Sequence, residues 1–416
     1  MIKYGLIGKT LSHSYSKIIH GFFGNREYEL LELPPDSVEG FLRGAGFAGI
    51  NVTIPYKETV MPYCVNDEAA KKIGSVNTIV NKNGTLYGYN TDYFGFSLMA
   101  KLAGISFNGK KVVILGSGGT SKTAVCVARD GGAAEITVVS RNGENNYGNI
   151  DRHSGCDVLV NTTPVGMFPR NGQSPLSLDG FANISAVIDV IYNPLRTRLL
   201  LDAEERGIRT ANGLSMLTAQ ALRAHNLFFG LETNEREDLA KIEKVLSKTE
   251  KRFSNIVLIG MPGCGKTTIG RKLAAALKRD FTDTDQLIAK RTGRAIPDII
   301  REDGEPRFRE LERDLIAEAG AQTGQVIATG GGSVLLKENR DALRQNGIIV
   351  FLKRPLEKLA TGGRPLSVDL NALYRQRLPL YEGLCRHKIQ CGEDLDGNVR
   401  AICGALDGKV HIANQG

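Results

Sequence analysis

The chain has 416 residues, room for roughly two to three domains at ~150 residues each. A hydrophobic content of 42% and a charged content of 24% are those of an ordinary globular protein, which excludes disordered, collagen-like and membrane-filling chains. The formal net charge of +8 is spread without aromatic interleaving, which argues against a nucleic-acid surface and biases the chain towards small anionic ligands. In chain order, Tyr4–Gly8 reads as a strand, Ser16–Phe23 as a helix, and Gly49–Ile54 and Ser75–Val80 as further strands, an alternation that predicts an α/β layer. A second α/β unit starts at Lys111–Leu115. A glycine-rich turn and a helix to about Asp130 follow, then strands at Glu135–Val139, Val158–Val160 and Ala186–Val190. Gly213–Leu231 and Glu235–Leu246 are helical by period, the latter amphipathic, and residues 247–253 break the pattern and read as a linker. A third α/β unit fills 254–416. Seven scattered cysteines without metal spacing predict reduced thiols and a cytoplasmic protein. The first residues read as a strand rather than a signal peptide, and no apolar run reaches the ~20 residues that span a bilayer.

Two glycine-rich turns carry the first chemical signals. Gly260-Met-Pro-Gly263-Cys-Gly265-Lys266-Thr267-Thr268 lies between the apolar run Ile256–Ile259 and a helix-like segment, the context of a phosphate-binding loop. Backbone N–H groups there form an anion cradle, Lys266 reaches the β- and γ-phosphates, and Thr267 serves Mg²⁺. Gly116-Ser-Gly118-Gly119 likewise follows a strand and opens a helix, as a dinucleotide site requires, although Ser121 replaces the third glycine. After the next strand, Arg141 stands where an NAD site wants an acid. A guanidinium suits a 2′-phosphate, so NADPH is expected over NADH.

Six ordered motifs then identify the first half. Gly8-Lys-Thr-Leu-Ser-His-Ser14-Tyr-Ser16, Asn51-Val-Thr53-Ile-Pro-Tyr-Lys57-Glu58, Gly74-Ser-Val-Asn77-Thr78, Gly88-Tyr-Asn-Thr-Asp92, Asp189-Val-Ile-Tyr192-Asn-Pro194 and Gly213-Leu-Ser-Met216-Leu-Thr-Ala-Gln220 resemble those of shikimate dehydrogenases over about residues 1–235. The resemblance implies NADPH-dependent reduction of 3-dehydroshikimate. It also implies a catalytic domain from residues 1–100 plus 211–246, with a Rossmann domain inserted at 101–210. Ketone reduction needs a proton for the developing alkoxide, which an ammonium oriented by a carboxylate can supply; Lys57 and Asp92 match the family's pair. By the same match Ser14 and Ser16 bind the substrate carboxylate, Thr53, Asn77, Tyr192 and Gln220 lie on its hydroxyl and carboxylate edges, and Gly213 joins the NADP set. The second basic residue often found after Arg141 is absent, with Glu144 and Asn145 there instead; His13 and His20 are assigned structural roles.

The second half resembles shikimate kinases from about Asn255 to Gln390. The match is carried by Asp283-Thr-Asp285, Arg291-Thr-Gly-Arg-Ala-Ile, Gly304-Glu-Pro-Arg-Phe308-Arg309-Glu-Leu-Glu312, Thr329-Gly330-Gly331-Gly332, Arg364-Pro-Leu and Arg377-Leu-Pro-Leu-Tyr381. Asp283 and Asp285, two apart on an expected strand end, are predicted to share a face beside the phosphates. The resemblance gives Asp285 the substrate diol and the role of base, and Asp283 the support of Mg²⁺. Arg309 and Arg377 take the carboxylate, Gly330–Gly332 the ring, and Arg364, on a lid shorter than usual, the phosphates of ATP. Both halves together predict a bifunctional enzyme acting on small molecules, with no nucleic-acid or membrane partner. The alternatives are a quinate-tolerant, NAD-using dehydrogenase joined to a kinase, or a dehydrogenase whose second half binds nucleotide only to regulate.

Overall fold

Short aliphatic runs buried on both faces make the parallel strands, because helices cover each side of the sheet and leave no polar face to alternate with. The structure, a computed structural model, describes residues 3–12, 14–359 and 370–407. It divides into two compact units, Met1–Thr249 and Glu250–Gly416.

The first unit holds two sheets among the described residues. One has six strands in the spatial order Tyr28–Glu32, Tyr4–Gly8, Gly49–Val52, Thr78–Lys82, Thr85–Tyr89 and Val65–Asn66. The first three run parallel; Thr78–Lys82 pairs antiparallel with both Gly49–Val52 and Thr85–Tyr89. The hairpin was not expected from the sequence, yet its signal was there. Asn83 (φ 54°) and Gly84 (φ 87°) supply the two positive φ angles of a tight turn whose twist matches the strands. The other sheet is wholly parallel, in the order Arg209–Asn212, Ala186–Asp189, Val158–Asn161, Lys111–Leu115 and Glu135–Val139. Helix Asp92–Leu102, which leads from the first sheet to the second, packs against helix Gly213–Phe229, which follows the second. A Cβ on Gly95 would stand 2.6 Å from the Met216 carbonyl oxygen, so their backbones meet there.

One sequence expectation is corrected. Residues 247–253, which contain the division between the two units, are helical and not irregular: the amphipathic helix continues without a break from Glu235 to Phe253. Thr249 is fully buried, and its hydroxyl donates to the Val245 carbonyl (2.8 Å), so a polar residue that disrupts the apolar pattern is absorbed inside the helix.

The second unit has one parallel sheet, ordered Phe281–Asp283, Val326–Ala328, Asn255–Ile259, Gly347–Lys353 and His387–Gln390. Asn255–Ile259 is central, and the strands on its two sides are reached by connections leading in opposite directions. The crevice at its carboxyl end is the natural ligand site of such a sheet. The long helix Ile296–Ala321 is interrupted at Gly304 (φ 86°, ψ 161°), two residues before Pro306, so Arg309 lies on a segment set off from the first turns. No helix among the described residues is long and apolar enough to cross a membrane.

Candidate active sites

In the first unit, Lys57 and Asp92 come together from distant segments. Lys57 Nζ lies 2.6 Å from Asp92 Oδ2, and the side chains are only 15% and 9% exposed. Asp92 opens the helix that leads out of the first sheet, and the Lys57 carbonyl accepts from Val76 N, which ties the lysine segment to the turn before Asn77. Asn77 Nδ2 donates to Thr91 Oγ1 (3.0 Å), Thr91 N donates to Asn77 Oδ1 (2.7 Å), and Thr91 Oγ1 donates to Gln220 Oε1 (3.2 Å). Asn77, Gln220 and Asp92 thus lie in one connected region.

Ser14 and Ser16 sit at the start of the first helix, where Ser16 N donates to Ser14 Oγ (3.2 Å). The loop before them is held by Glu32, whose Oε1 accepts from Leu11 N (2.6 Å). Tyr192 packs against Tyr15 with ring centroids 5.0 Å apart. Burial pushes the Tyr192 phenol up to about 12, while the Tyr15 backbone and the Ser14 side chain act the other way; the tyrosine therefore faces the serine loop. Thr53 caps the strand end beside Gly8, where a Cβ would stand 2.6 Å from Thr53 Cγ2. His20 is fully buried, stacked on Tyr28 (3.9 Å between centroids), and pushed down to about 3, first by burial. His13 lies outside the described residues.

The nucleotide turn of this unit is adjacent. Gly116 has φ 104°, Gly118 is the N-cap of helix Gly119–Asp130, and no side chain caps that helix, so its N-terminal donors are left for water or an anion. A Cβ on Gly119 would meet Lys57 Cδ at 3.8 Å, which puts the lysine stem against the turn. The residues fit a pyrophosphate on this observation. Arg141 is exposed just beyond strand Glu135–Val139. Gly213 has another reason for its identity: a Cβ there would lie 1.9 Å from the Val190 carbonyl oxygen.

In the second unit, Gly260 (φ 147°), Gly263 (φ 82°) and Gly265 (φ 101°) shape the loop, and a Cβ on Gly260 would fall 2.6 Å from the Leu352 carbonyl oxygen. Lys266 is buried, its ammonium donating to the Gly260 (2.9 Å) and Met261 (3.0 Å) carbonyls. Thr268 is exposed on the following helix. Thr267 Oγ1 donates to Asp283 Oδ2 at 2.6 Å, so a hydroxyl and a carboxylate already share the place a magnesium ion would take. Mg²⁺ keeps most of its water shell and needs few protein oxygens, so this small donor set fits.

The expected placement of Asp283 and Asp285 on one strand is corrected. The strand ends at Asp283, which caps helix Thr284–Thr292 by accepting from Asp285 N (3.0 Å) and Gln286 N (3.1 Å). Asp285 belongs to the helix. Its Oδ1 is buried with no hydrogen-bond partner, and its carboxyl is pushed up to about 6, by burial first and then by the Asp283 and Glu312 charges.

The three glycines lie against several other parts of this site. A Cβ on Gly330 would meet Asp285 Oδ1 (2.8 Å) and Glu312 Oε1 (2.9 Å), one on Gly331 Pro262 (2.6 Å), and one on Gly332 the Arg309 guanidinium (2.8 Å). Arg309 is paired with Glu312 (2.7 Å) and Glu305 (3.0 Å). Arg377 is buried, with no partner for its Nε, one turn before Tyr381, whose hydroxyl donates to the Gly331 carbonyl (2.5 Å). Arg364 and most of the expected lid lie outside the described residues.

Four participants were missed. Thr91 bridges Asn77 to Gln220, and nothing in its local sequence marks it beyond its place before Asp92. Glu312, Ser333 and Tyr381 support the glycine turn. Glu312 three residues after Arg309 and Tyr381 four after Arg377 are helix-neighbour spacings that the sequence displayed.

Comparison with known proteins places both units. Residues 6–79 match the family model of the shikimate dehydrogenase substrate binding domain, and residues 262–401 that of shikimate kinase. The chain is 34% identical over 272 residues to shikimate dehydrogenase (NADP(+)) of Clostridium perfringens, covering 60% of this chain and 99% of that one. It is similar in structure to shikimate dehydrogenase 1 of Peptoclostridium difficile (35% identity, TM-score 0.55, 59% of this chain and 98% of that one). It is likewise similar to the Thermus thermophilus shikimate 5-dehydrogenase solved with NADP(H) and shikimate (28% identity, TM-score 0.52, 59% and 100%). With Lys57, Asp92 and the serine loop assembled as described and nearly the full length of such relatives covered, the chain belongs to the shikimate dehydrogenase family and carries a shikimate kinase domain in the same polypeptide.

Proposed function

We propose that this protein reduces 3-dehydroshikimate with NADPH through residues 1–100 and 211–246, with the cofactor on 101–210, and then phosphorylates the 3-hydroxyl of shikimate with Mg·ATP through 254–416. Two consecutive reactions on one intermediate explain why these two families share a chain. The observation that carries the reading is the Lys57–Asp92 pair, 2.6 Å apart and almost out of water, with the lysine stem against Gly119 of the nucleotide turn.

The residues act as follows. Ser14, Ser16 and Tyr192 take the substrate carboxylate, and Thr53, Asn77 and Gln220 take its hydroxyl edges. Gly116, Gly118, Gly119 and Arg141 would hold NADPH, which would supply the hydride. Asp92 orients Lys57, and Lys57 Nζ gives its proton to the alkoxide oxygen as the carbonyl is reduced. Gly213 lets the chain pass Val190 closely behind the cofactor side.

In the kinase domain Arg309 and Arg377 clamp the shikimate carboxylate and Gly330–Gly332 line the ring. Asp285 Oδ1 accepts the proton of the attacking hydroxyl, a task suited to a carboxyl raised to about 6, near the working pH. Gly260, Gly263, Gly265, Thr268 and Lys266 hold the ATP phosphates. Thr267 and Asp283 would hold Mg²⁺, which neutralises charge as the γ-phosphoryl leaves.

A two-step assay tests this. With 3-dehydroshikimate, NADPH oxidation should come first and ADP and shikimate 3-phosphate should follow only when ATP is present. Failure of shikimate to stimulate ADP formation would refute the kinase half, and failure to oxidise NADPH the other.

A further inference from the structure

The first unit buries an acid that this chemistry does not use. Asp189 ends strand Ala186–Asp189 and is 0% exposed. Its carboxylate accepts three hydrogen bonds, from Asn161 Nδ2 (3.1 Å) and Ile191 N (3.1 Å) on Oδ1 and from Thr197 Oγ1 (2.7 Å) on Oδ2. Burial pushes the carboxyl up to about 6, with Thr197, Ile191 and Asn161 acting against it, so above pH 7 it is an acceptor-only anion. A carboxylate surrounded by neutral donors is costly to bury, and an apolar residue would fill the end of a sheet more cheaply.

The three donors come from three separate pieces of the unit. Asn161 ends the neighbouring strand, and its Oδ1 accepts from Thr163 N (3.0 Å) and Thr163 Oγ1 (2.7 Å). Between them Thr162 Oγ1 donates to the Leu115 carbonyl (2.6 Å), immediately before Gly116 of the nucleotide turn. Thr197 caps helix Arg198–Glu205. Ile191 is the residue before Tyr192; its carbonyl accepts from Gly213 N (3.0 Å), and the carbonyl of Asn193, on the other side, accepts from Phe168 N (3.0 Å). Tyr192 therefore projects from a turn fixed at both neighbours, with Asp189 holding the N–H just before it.

We propose that Asp189 is a positioning residue for Tyr192: its carboxylate fixes the turn that aims the phenol at the serine loop, and links that turn to the strand end beside the nucleotide site. This rests on reading Tyr192 as a contact of the shikimate carboxylate. Asparagine at 189 keeps the volume but leaves one of the three donors facing an amide NH₂. The turn would then lose its alignment without losing its fold.

The test is a double-mutant cycle in the full chain, measured as shikimate oxidation with NADP. Asp189→Asn should raise the shikimate KM about tenfold, the scale of one lost hydrogen bond to a charged group, while the NADP KM moves less than about twofold. Tyr192→Phe should raise it comparably, and the double variant no further than the larger single one. Thr197→Val should move the shikimate KM in the same direction and Thr197→Ser restore it, which separates positioning from general loss of fold. Independent effects that multiply, an equal rise in both KM values, or an Asp189→Asn enzyme indistinguishable from wild type would overturn the proposal. A wild-type chain that does not oxidise shikimate would overturn the functional reading itself, and the inference with it.

Discussion

Asp285→Asn should stabilise the kinase domain while disabling it. In the folded protein the carboxyl is raised from the ordinary 3.8 to about 6, by burial and by Asp283 and Glu312, a shift of about two units. At 1.36 kcal/mol per unit, keeping it ionised above pH 7 costs the fold roughly 3 kcal/mol. The amide removes that cost but brings a buried N–H of its own, worth ~1–2 kcal/mol when unpaired, so the net gain is about 1–2 kcal/mol. For a domain of this size that raises Tm by roughly 2–4 °C per kcal/mol. The sign has a pH signature. A raised carboxyl contributes stability that is fully present below 3.8 and is lost as pH rises through about 6. The advantage of asparagine should therefore be small at pH 5 and complete at pH 8. Calorimetry of the full chain measures it, with the kinase transition identified by its shift in Mg·ATP. Shikimate-dependent ADP formation should fall by ~10²–10⁴-fold in the same variant, the usual contribution of a general base. A variant that melts below wild type at pH 8, or whose difference is the same at both pH values, would refute the electrostatic account.

Other outcomes follow from the same geometry. Lys57→Ala should abolish NADPH oxidation and spare ADP formation, Lys266→Ala should do the reverse, and loss of both activities in either variant would contradict separate sites. Arg141→Ala should raise the KM for NADPH about tenfold, as expected for one charge-assisted contact, and leave that for NADH little changed; equal shifts would remove the 2′-phosphate from its role. Thr91→Val should destabilise the first unit by ~1–3 kcal/mol in denaturant titration, because it leaves the Asn77 amide and the Gln220 oxygen buried without their bridge. A change below ~0.5 kcal/mol would mean that those groups find other partners.

What the sequence displayed was local chemistry. The glycine turns at Gly116 and Gly260 were legible because each needs a fixed backbone shape between a strand and a helix, and that shape dictates residues within nine positions. The limits also have physical causes. Residues 247–253 lack apolar periodicity, but Lys and Glu are good helix formers and Thr249 pairs with its own helix, so the helix runs on through them. Asp283 was placed correctly at a strand end, but its side chain caps the next helix, and that cap put Asp285 on a helix instead of a strand. The Thr91–Gln220 bond joins residues 129 positions apart, and no local pattern announces such a partner.

The two domains hold their acid–base groups in opposite ways, and on the proposed function each suits its step. Lys57 donates a proton to a charge that exists only while hydride is moving, so it must already be aimed; its partner Asp92 is built in at 2.6 Å. Asp285 accepts a proton from a substrate hydroxyl, and a permanent donor on Oδ1 would compete with that hydroxyl. Its Oδ1 has no protein partner, and the carboxyl stays near 6 until shikimate supplies the missing hydrogen bond. Arg309 could have served as that donor, but Glu312 and Glu305 hold its guanidinium. A Glu312→Gln variant, which loosens this hold, should let Arg309 turn to Asp285, depress the pH at which phosphorylation declines, and raise the KM for shikimate. An unchanged pH profile with a raised KM would mean that Glu312 only holds Arg309 and that the unpaired acid needs no protection from it.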